Sequence, residues 1–129
     1  MRKIILILIL LFISSPVHAE YQFAKDWTNK DTAYQATFLA VTTVDWLQTR
    51  WMAKNNWHWD GEYYHESNLI LGDFPSSKAV DLYMPLSMLA HTLVSMTLPP
   101  DYRRIWQVLW IGVEGYCVTT NYSAGVHLE

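Results

Sequence analysis

The chain has 129 residues, of which 51% are hydrophobic, 15% aromatic and 16% charged, and its formal net charge at pH 7 is −3. This length fits one domain, and the high aromatic content excludes an intrinsically disordered chain. The acidic balance excludes a basic surface for a phosphate backbone, so no nucleic-acid partner is expected. The single cysteine, Cys117, excludes an intramolecular disulfide and a zinc site built from several cysteines.

The first nineteen residues have the pattern of an export signal. Basic side chains occupy positions 2 and 3, residues 4–13 are apolar without interruption, and Ala19 is a small residue at the expected cleavage position. Ten apolar residues are too few to cross a bilayer, which takes about 20. We therefore predict a signal peptide over 1–19 and one helical domain over 20–129. Retention of the segment as an N-terminal anchor is the alternative.

Hydrophobic spacing in the remaining chain predicts three helices. Their expected bounds are about 32–53, 77–98 and 101–121. The predicted fold class is all-α, a compact bundle of about three helices after the signal peptide.

The ends of these helices are predicted from capping residues. Three side chains of capping type stand at the expected starts: Thr32, Ser76 or Ser77, and Asp101. Thr32 and Gln35 have the spacing of a capping box. Pro85 falls inside the second predicted helix, and Gly125 is the expected terminator of the third.

The second and third predicted helices suggest a membrane-embedded protein. Residues 82–98 carry no formal charge, and both helices have the length of a bilayer span. Asp45 and Glu114 would then face the protein interior, because a charge is costly at the bilayer centre. The inner membrane is the expected location, with membrane lipid, a second copy or a membrane protein as partners. The alternative is a helical bundle free in the periplasm.

Polar residues recur on one face of each predicted helix. Three such stripes can be buried only against one another, which predicts an interior polar cluster that binds a small ligand, an ion or a partner helix. Hydrogen bonds that set the helix register are the alternative. The predicted ligand-binding residues are Asp45, Gln48, Thr49, Glu66, Asn68, His91, Glu114 and Asn121.

Glu66 and Asn68 lie between the first and second predicted helices, ahead of Gly72 and Pro75. This composition predicts a turn that brings both side chains to the mouth of the polar cluster. An Asx turn that caps the second helix is the alternative.

A metal site is a weaker prediction from the same segment. His58, Glu62, His65 and Glu66 would share one face if the segment were helical, and Glu-x-x-His is half of a di-iron carboxylate site. The second Glu-x-x-His is missing and Gly61 interrupts the segment, which favours a solvated polar face. The sequence does not determine whether a cofactor is bound.

The residues also permit an enzymatic interpretation. Glu66 or Asp45 as general base, with His91 as its acid–base partner, would suit a membrane-embedded hydrolase or transferase acting on a lipid or envelope substrate. The chain contains no G-x-S-x-G motif, and Cys117 among apolar neighbours is expected to serve packing. A third alternative is a soluble periplasmic binding or inhibitor domain that contacts its partner through the aromatic residues of 57–74.

Three strings in the chain form a combined motif: Asp45-x-x-Gln48-Thr49, then Glu66-x-Asn68-x-x-Leu71-Gly72-x-x-Pro75, and the late Asn121. The combination resembles a group of small uncharacterised bacterial membrane proteins with the motifs D-x-x-Q-T and E-x-N-P-x-L-G-x-x-P and a late Asn. This chain has Leu69 where the group usually has Pro. The resemblance covers about residues 40–125 and implies a helical fold and a membrane location, without an activity.

Overall fold

The computed structural model describes residues 23–126, so the predicted signal peptide lies outside the described residues. Its elements in chain order are α1 (Asn29–Lys54), β1 (His58–Trp59), β2 (Glu62–Tyr63), α2 (Ser77–Thr97) and α3 (Pro100–Ser123). The prediction of a mainly helical fold with three helices is confirmed, and a small two-stranded hairpin is added to it. Helix α1 is central, because it packs against both α2 and α3, which contact each other much less.

Helix α1 begins three residues earlier than predicted. Thr28 accepts a hydrogen bond from the backbone N–H of Asp31 at 3.2 Å, and the Asp31 carboxylate accepts one from the Thr28 backbone N–H at 2.7 Å. These two bonds form a capping box with Asp at the third helical position. The predicted box of Thr32 and Gln35 is wrong, because both residues lie inside the helix.

The starts of α2 and α3 differ in chemistry. Ser76 accepts a hydrogen bond from the Ala79 backbone N–H at 3.3 Å, which confirms one of the two predicted caps of α2. Helix α3 has no side-chain cap, and Asp101 lies in its first turn instead. Pro100 occupies the first helical position, where its missing N–H needs no partner and its φ suits a helix. The predicted Asp101 cap is therefore wrong.

The end of α3 follows the glycine prediction. Gly125 has φ +86°, a left-handed conformation that favours glycine. The Val126 N–H donates to the Asn121 carbonyl and the Gly125 N–H to the Tyr122 carbonyl, both at 3.0 Å. This pair of bonds is the Schellman motif. It carries the chain back so that Val126 is fully buried against the end of α1.

The segment after α1 folds as a hairpin, with Asp60 and Gly61 at positive φ in its turn. Two consecutive positive φ angles are typical of a type I′ turn. The register pairs His58 with Tyr63 and Trp59 with Glu62. Cross-strand partners share a face, so His58 and Glu62 lie on opposite faces.

This hairpin replaces the helical face on which the metal prediction depended. Between residues 23 and 126 no group of three or more His, Cys, Asp or Glu side chains is arranged to hold a metal ion. The weak candidates His58, Glu62, His65 and Glu66 therefore do not form a metal site in the described chain.

The expectation of membrane-spanning helices is wrong. None of the helices within residues 23–126 combines the length and the apolar character that a bilayer crossing requires. Helix α2 has 21 residues and α3 has 24, so length is sufficient. Polar residues lower the hydropathy instead: Ser87, His91 and Ser95 interrupt α2, while Arg103, Gln107 and Glu114 interrupt α3.

The interior of the bundle is rich in polar side chains. Buried apolar residues are Phe38, Met52, Trp57, Val80, Met84 and Val126. Buried polar or charged residues are more numerous: Asp31, Gln35, Thr42, Asp45, Gln48, Thr49, His91, Ser95, Arg103 and Gln107. Because burial of an unpaired polar group is costly, the hydrogen bonds among these residues determine how the helices fit together.

Candidate functional site

Helix α1 supplies the polar stripe on which the interior is built. The buried face of this helix follows spacings of three and four residues, with Phe38 between Gln35 and Thr42. Its polar members are Asp31, Gln35, Thr42, Asp45, Gln48 and Thr49. This spacing keeps all six on one side of a helix. The predicted part of the stripe begins at Thr42, and the structure extends it by about three turns to Asp31, near the start of α1.

The acidic cluster lies at the far end of this stripe and comprises Asp45, Gln48, Glu66, Glu114 and Asn121. The side-chain amide of Asn121 donates to the Asp45 carboxylate at 3.0 Å and to the Gln48 carbonyl at 3.4 Å. Gln48 in turn donates to the backbone carbonyls of Val118 and Val126, both at 3.4 Å. These bonds join the second half of α1 to the end of α3.

Charge is poorly balanced in the acidic cluster. Burial raises the pKa of Asp45 to about 7, the negative charges of Glu114 and Glu66 act in the same direction, and the hydrogen bond from Asn121 opposes the shift. Burial also raises the pKa of Glu114, which the neighbouring Thr42 hydroxyl opposes and Glu66 increases. The charges that act on Asp45 are therefore of its own sign, and near neutral pH its carboxyl is partly protonated.

Cys117 lies next to this cluster and is unreactive. Burial raises the pKa of its thiol to about 12, and the carboxylates of Asp45, Glu114 and Glu66 add to the shift. A thiol with such a pKa stays protonated at neutral pH and is a poor nucleophile. Its chemistry thus agrees with the predicted packing role.

The opposite end of the stripe is organised by Arg103, whose side chain is 1% exposed. Its guanidinium donates to the backbone carbonyls of Ser95 at 2.9 Å, Lys25 at 2.8 Å and Leu98 at 3.0 Å, and to the Asp31 carboxylate at 3.4 Å. Arg103 therefore joins the lead-in segment, α1 and the end of α2 to α3.

The ion pair partner of Arg103 is held in its charged form. Burial would raise the pKa of Asp31, but hydrogen bonds from Thr28 and the positive charges of Arg103 and Arg104 outweigh burial and lower it. This end of the interior is therefore compensated in charge, in contrast to the acidic cluster.

His91 belongs to neither end. Gln35 donates to its Nδ1 at 3.3 Å and to the Thr92 hydroxyl at 2.9 Å, and the imidazole stacks on Phe38 with ring centroids 3.6 Å apart. Burial lowers the pKa of His91 to about 4, so the ring is neutral at pH 7. Gln35 and Asp45 are ten residues apart, roughly 15 Å along the helix. The structure therefore separates His91 from the acidic cluster.

Glu66 and Asn68 form a local turn. The Glu66 carboxylate accepts from the Asn68 backbone N–H at 2.9 Å, and the Asn68 side chain accepts from the Ile70 backbone N–H at 3.0 Å. The second bond is an Asx turn, but it does not cap α2 as the alternative role of Asn68 required, because Ser76 is the cap of that helix. Glu66 has in addition an electrostatic effect on Asp45, so it contributes to the acidic cluster, whereas Asn68 serves the turn.

Sequence reasoning missed Arg103 and Gln35 as interior residues, and it left Gln107 out of the predicted ligand-binding set. Gln107 donates to the Asp31 backbone carbonyl at 3.1 Å and to the Gln35 side-chain carbonyl at 3.3 Å. The available signal was the spacing of four between Arg103 and Gln107, which places both on one face of α3. An arginine near a helix start is usually solvated, which is why this signal was not followed.

The structure brings together five of the eight predicted ligand-binding residues in the acidic cluster, and it leaves Asn68 and His91 elsewhere. Thr49 is buried beside Gln48 on α1.

Comparisons of the chain with protein-family models, with curated proteins and with solved structures each found no match. The resemblance to small bacterial membrane proteins thus stays a prediction, and any functional conclusion depends on the geometry of the interior.

Proposed function

We propose that this protein is a non-enzymatic binding module whose acidic cluster takes up a small cation with N–H groups in exchange for the proton of Asp45. The observation that carries the proposal is the state of Asp45. Its side chain is buried, its pKa is about 7, and the charged groups acting on it are the carboxylates of Glu114 and Glu66. Above pH 7 the cluster gains a buried negative charge that a bound cation would neutralise.

The chemistry of the cluster favours an ammonium-type cation over a metal ion. No metal-holding group of side chains exists in the described range, as noted above. The acceptors are instead the carboxylate of Asp45 and the side-chain carbonyl of Gln48 on α1, and the carboxylate of Glu114 on α3. Such separated acceptors suit a cation that donates several charge-assisted hydrogen bonds in different directions.

Competition between the cation and the proton gives the proposal its test. Thermal unfolding is measured at pH 8 and pH 5 with methylammonium and with tetramethylammonium at equal ionic strength. The two ions have the same charge, but tetramethylammonium has no N–H group. We expect methylammonium to raise the midpoint at pH 8, and the rise to be much smaller at pH 5, where Asp45 keeps its proton.

Two variants locate the effect. Asp45→Asn should abolish the response to methylammonium, while Asp73→Asn, an exposed carboxylate in the loop before α2, should keep it. Equal responses to both ions, or an unchanged response in Asp45→Asn, would show that the cluster does not bind the cation.

We also propose that the chain is exported and acts in the periplasm. The support is the pattern of residues 1–19, with its basic start, apolar segment and Ala19. Intact-mass measurement of the protein recovered by osmotic shock tests this directly. A mass that begins at Glu20 is expected, and recovery of the full-length chain in the cytoplasm would contradict it.

A second candidate function is assembly through α2. Leu82, Leu86, Leu89 and Leu93 are exposed and follow one another at spacings of four, three and four. This is the spacing of a helix that packs against another helix along a heptad seam. A second copy of this chain, with α2 packed on α2 across a twofold axis, is the partner that we propose.

Sedimentation of the purified protein at micromolar concentration tests the assembly. We expect a dimer for the wild type and for Leu69→Glu in the loop, and a monomer for Leu89→Glu. A monomeric wild type, or a monomer that binds phospholipid vesicles through this face, would exclude the dimer.

The enzymatic alternative has no support from the geometry, because His91 lies with Gln35 and Phe38 instead of with Asp45 or Glu66.

A further inference from the structure

The tryptophans of α3 differ from others in the chain in their hydrogen bonding. Four indole N–H groups elsewhere have acceptors: those of Trp27, Trp46, Trp57 and Trp59, at 2.8 to 3.1 Å. The Nε1 atoms of Trp106 and Trp110 are buried, yet no acceptor within residues 23–126 reaches them. Buried indole N–H groups normally find a partner, so these two require an explanation.

His91 adds a third donor of the same kind. Because Gln35 donates its side-chain N–H to Nδ1 of His91, the neutral imidazole carries its proton on Nε2. The direction of the Gln35 amide is defined by Gln107, which donates to the Gln35 carbonyl and is itself oriented by the Asp31 backbone carbonyl. Nε2 of His91 is buried and has no partner in the described part of the chain.

The three rings are in mutual contact. The centroid of His91 lies 5.4 Å from that of Trp106 and 6.4 Å from that of Trp110, and the two indoles are 5.5 Å apart. His91 comes from α2 and both tryptophans from α3. Three rings that carry unpaired N–H donors therefore contact one another between these two helices, and His91 is only 5% exposed.

We infer that these three N–H groups, the donor triad, form a binding site for an uncharged carbonyl oxygen of a small, largely apolar compound. The rings provide apolar surface for the body of the compound, and the donors provide hydrogen bonds to its oxygen. Helices α2 and α3 contact each other less than either contacts α1, so the proposed route of entry is their seam. The donor triad shares no residue with the acidic cluster and does not depend on the cation proposal.

Charge considerations favour a neutral oxygen over an anion. Arg103, one turn before Trp106 on α3, already donates to four oxygens and has a carboxylate partner in Asp31. Glu114 lies one turn beyond Trp110 on the same helix. An anion at the triad would thus be desolvated without a free positive charge beside it.

Proton–nitrogen NMR of the full chain, labelled with ¹⁵N, tests the inference. The probes are cyclopentanone and cyclopentane, which share a ring and differ by the carbonyl. We expect cyclopentanone to move the indole N–H signals of Trp106 and Trp110 downfield in a saturable manner, and cyclopentane to leave them in place. The signals of Trp57 and Trp59 serve as internal references, because their N–H groups already have acceptors.

A matched pair of variants completes the test. Trp110→Phe removes one donor while it keeps an aromatic ring, and should weaken cyclopentanone binding five- to tenfold. Trp59→Phe, whose indole belongs to another contact, should leave the affinity unchanged. Three outcomes would each overturn the inference: no shift at all, equal shifts with both probes, or shifts with acetate but not with cyclopentanone. If a variant fails to fold, the titration of the wild type alone decides.

Discussion

The side-chain amide of Asn121, near the end of α3, donates a hydrogen bond to the carboxylate of Asp45 in the middle of α1 at 3.0 Å. The two residues are 76 positions apart in the chain. Burial and the carboxylates of Glu114 and Glu66 disfavour the ionised form of Asp45. The hydrogen bond from Asn121 acts in the opposite direction and stabilises that form. The stability of the bundle should therefore depend on pH through Asp45.

The first prediction concerns this pH dependence. The pKa of Asp45 is about 7 in the fold and 3.8 in an unfolded chain, so the folded state binds more protons between these values. The free energy of unfolding should therefore fall as pH rises from 4 to 8, by up to about 4 kcal/mol. Asp45→Asn should remove most of this fall and be more stable than the wild type at pH 8.

Urea denaturation at pH 5, 6, 7 and 8 measures the effect, with Asp73→Asn as the control. Glu114 shifts in the same direction, so a residual slope is expected in Asp45→Asn and should shrink further in the double variant with Glu114→Gln. A wild type whose stability rises over this range would contradict the assignment of a protonated Asp45.

The second prediction concerns Arg103. Its replacement by Met leaves the carboxylate of Asp31 buried without its counter-charge and three backbone carbonyls without their donor. Loss of one partner of a buried ion pair costs about 3–5 kcal/mol. Arg103→Met should lose stability of this size in chemical denaturation, whereas Arg104→Met, on the exposed side of the same turn, should lose less than about 1 kcal/mol.

A third prediction separates the two possible caps of α1. Thr28→Ala removes the hydroxyl that accepts from the Asp31 backbone N–H and should destabilise the protein by about 1 kcal/mol. Thr32→Ala removes two exposed hydrogen bonds, one from the Trp27 indole and one to the Thr28 carbonyl, and should cost less. Thermal unfolding of both variants compares them, and a larger loss in Thr32→Ala would mean that the helix begins at the later position.

The fourth prediction compares a glycine within α3 with the glycine that follows its end. Gly125 has φ +86°, so Gly125→Ala should lose about 1 kcal/mol from backbone strain, although a Cβ would meet no atom closer than 3.8 Å. Gly112 lies in the middle of the helix and a Cβ there would meet nothing within 4 Å. Gly112→Ala should therefore stabilise the helix by about 0.5–1 kcal/mol. Opposite signs in thermal unfolding are the expected outcome.

Part of the hairpin could have been predicted from the sequence. Asp60-Gly61 between aromatic residues is a strong signal for a two-residue hairpin turn, but the density of His, Trp and Tyr drew attention to possible ligands instead. What could not be predicted is the anchoring of this hairpin. Trp59 donates to the Ala124 carbonyl at 2.9 Å, a contact that exists only once α3 has ended beside α1.

The interior polar cluster was predicted as one set and proved to be distributed along α1. The spacing of Asp45 and Gln48 predicts a polar face, and Asn121 predicts a polar position late in α3. Which polar residues meet depends on the register between helices, and a shift of one turn moves a side chain by about 5 Å. His91 was assigned to the wrong neighbours for this reason.

Local patterns in the sequence determined the three helices, most of their ends and the polar stripe of α1, because helix formation and capping depend on residues within one or two turns. The tertiary structure alone decided the rest. Helix α1 lies between α2 and α3, so each polar residue of its stripe meets a partner that is tens of residues away. That packing also decides which charge lies beside each buried carboxylate, because electrostatic interactions act between neighbours in space. The charge of Asp31 is compensated by Arg103, whereas Asp45 lies near Glu114, which has the same sign.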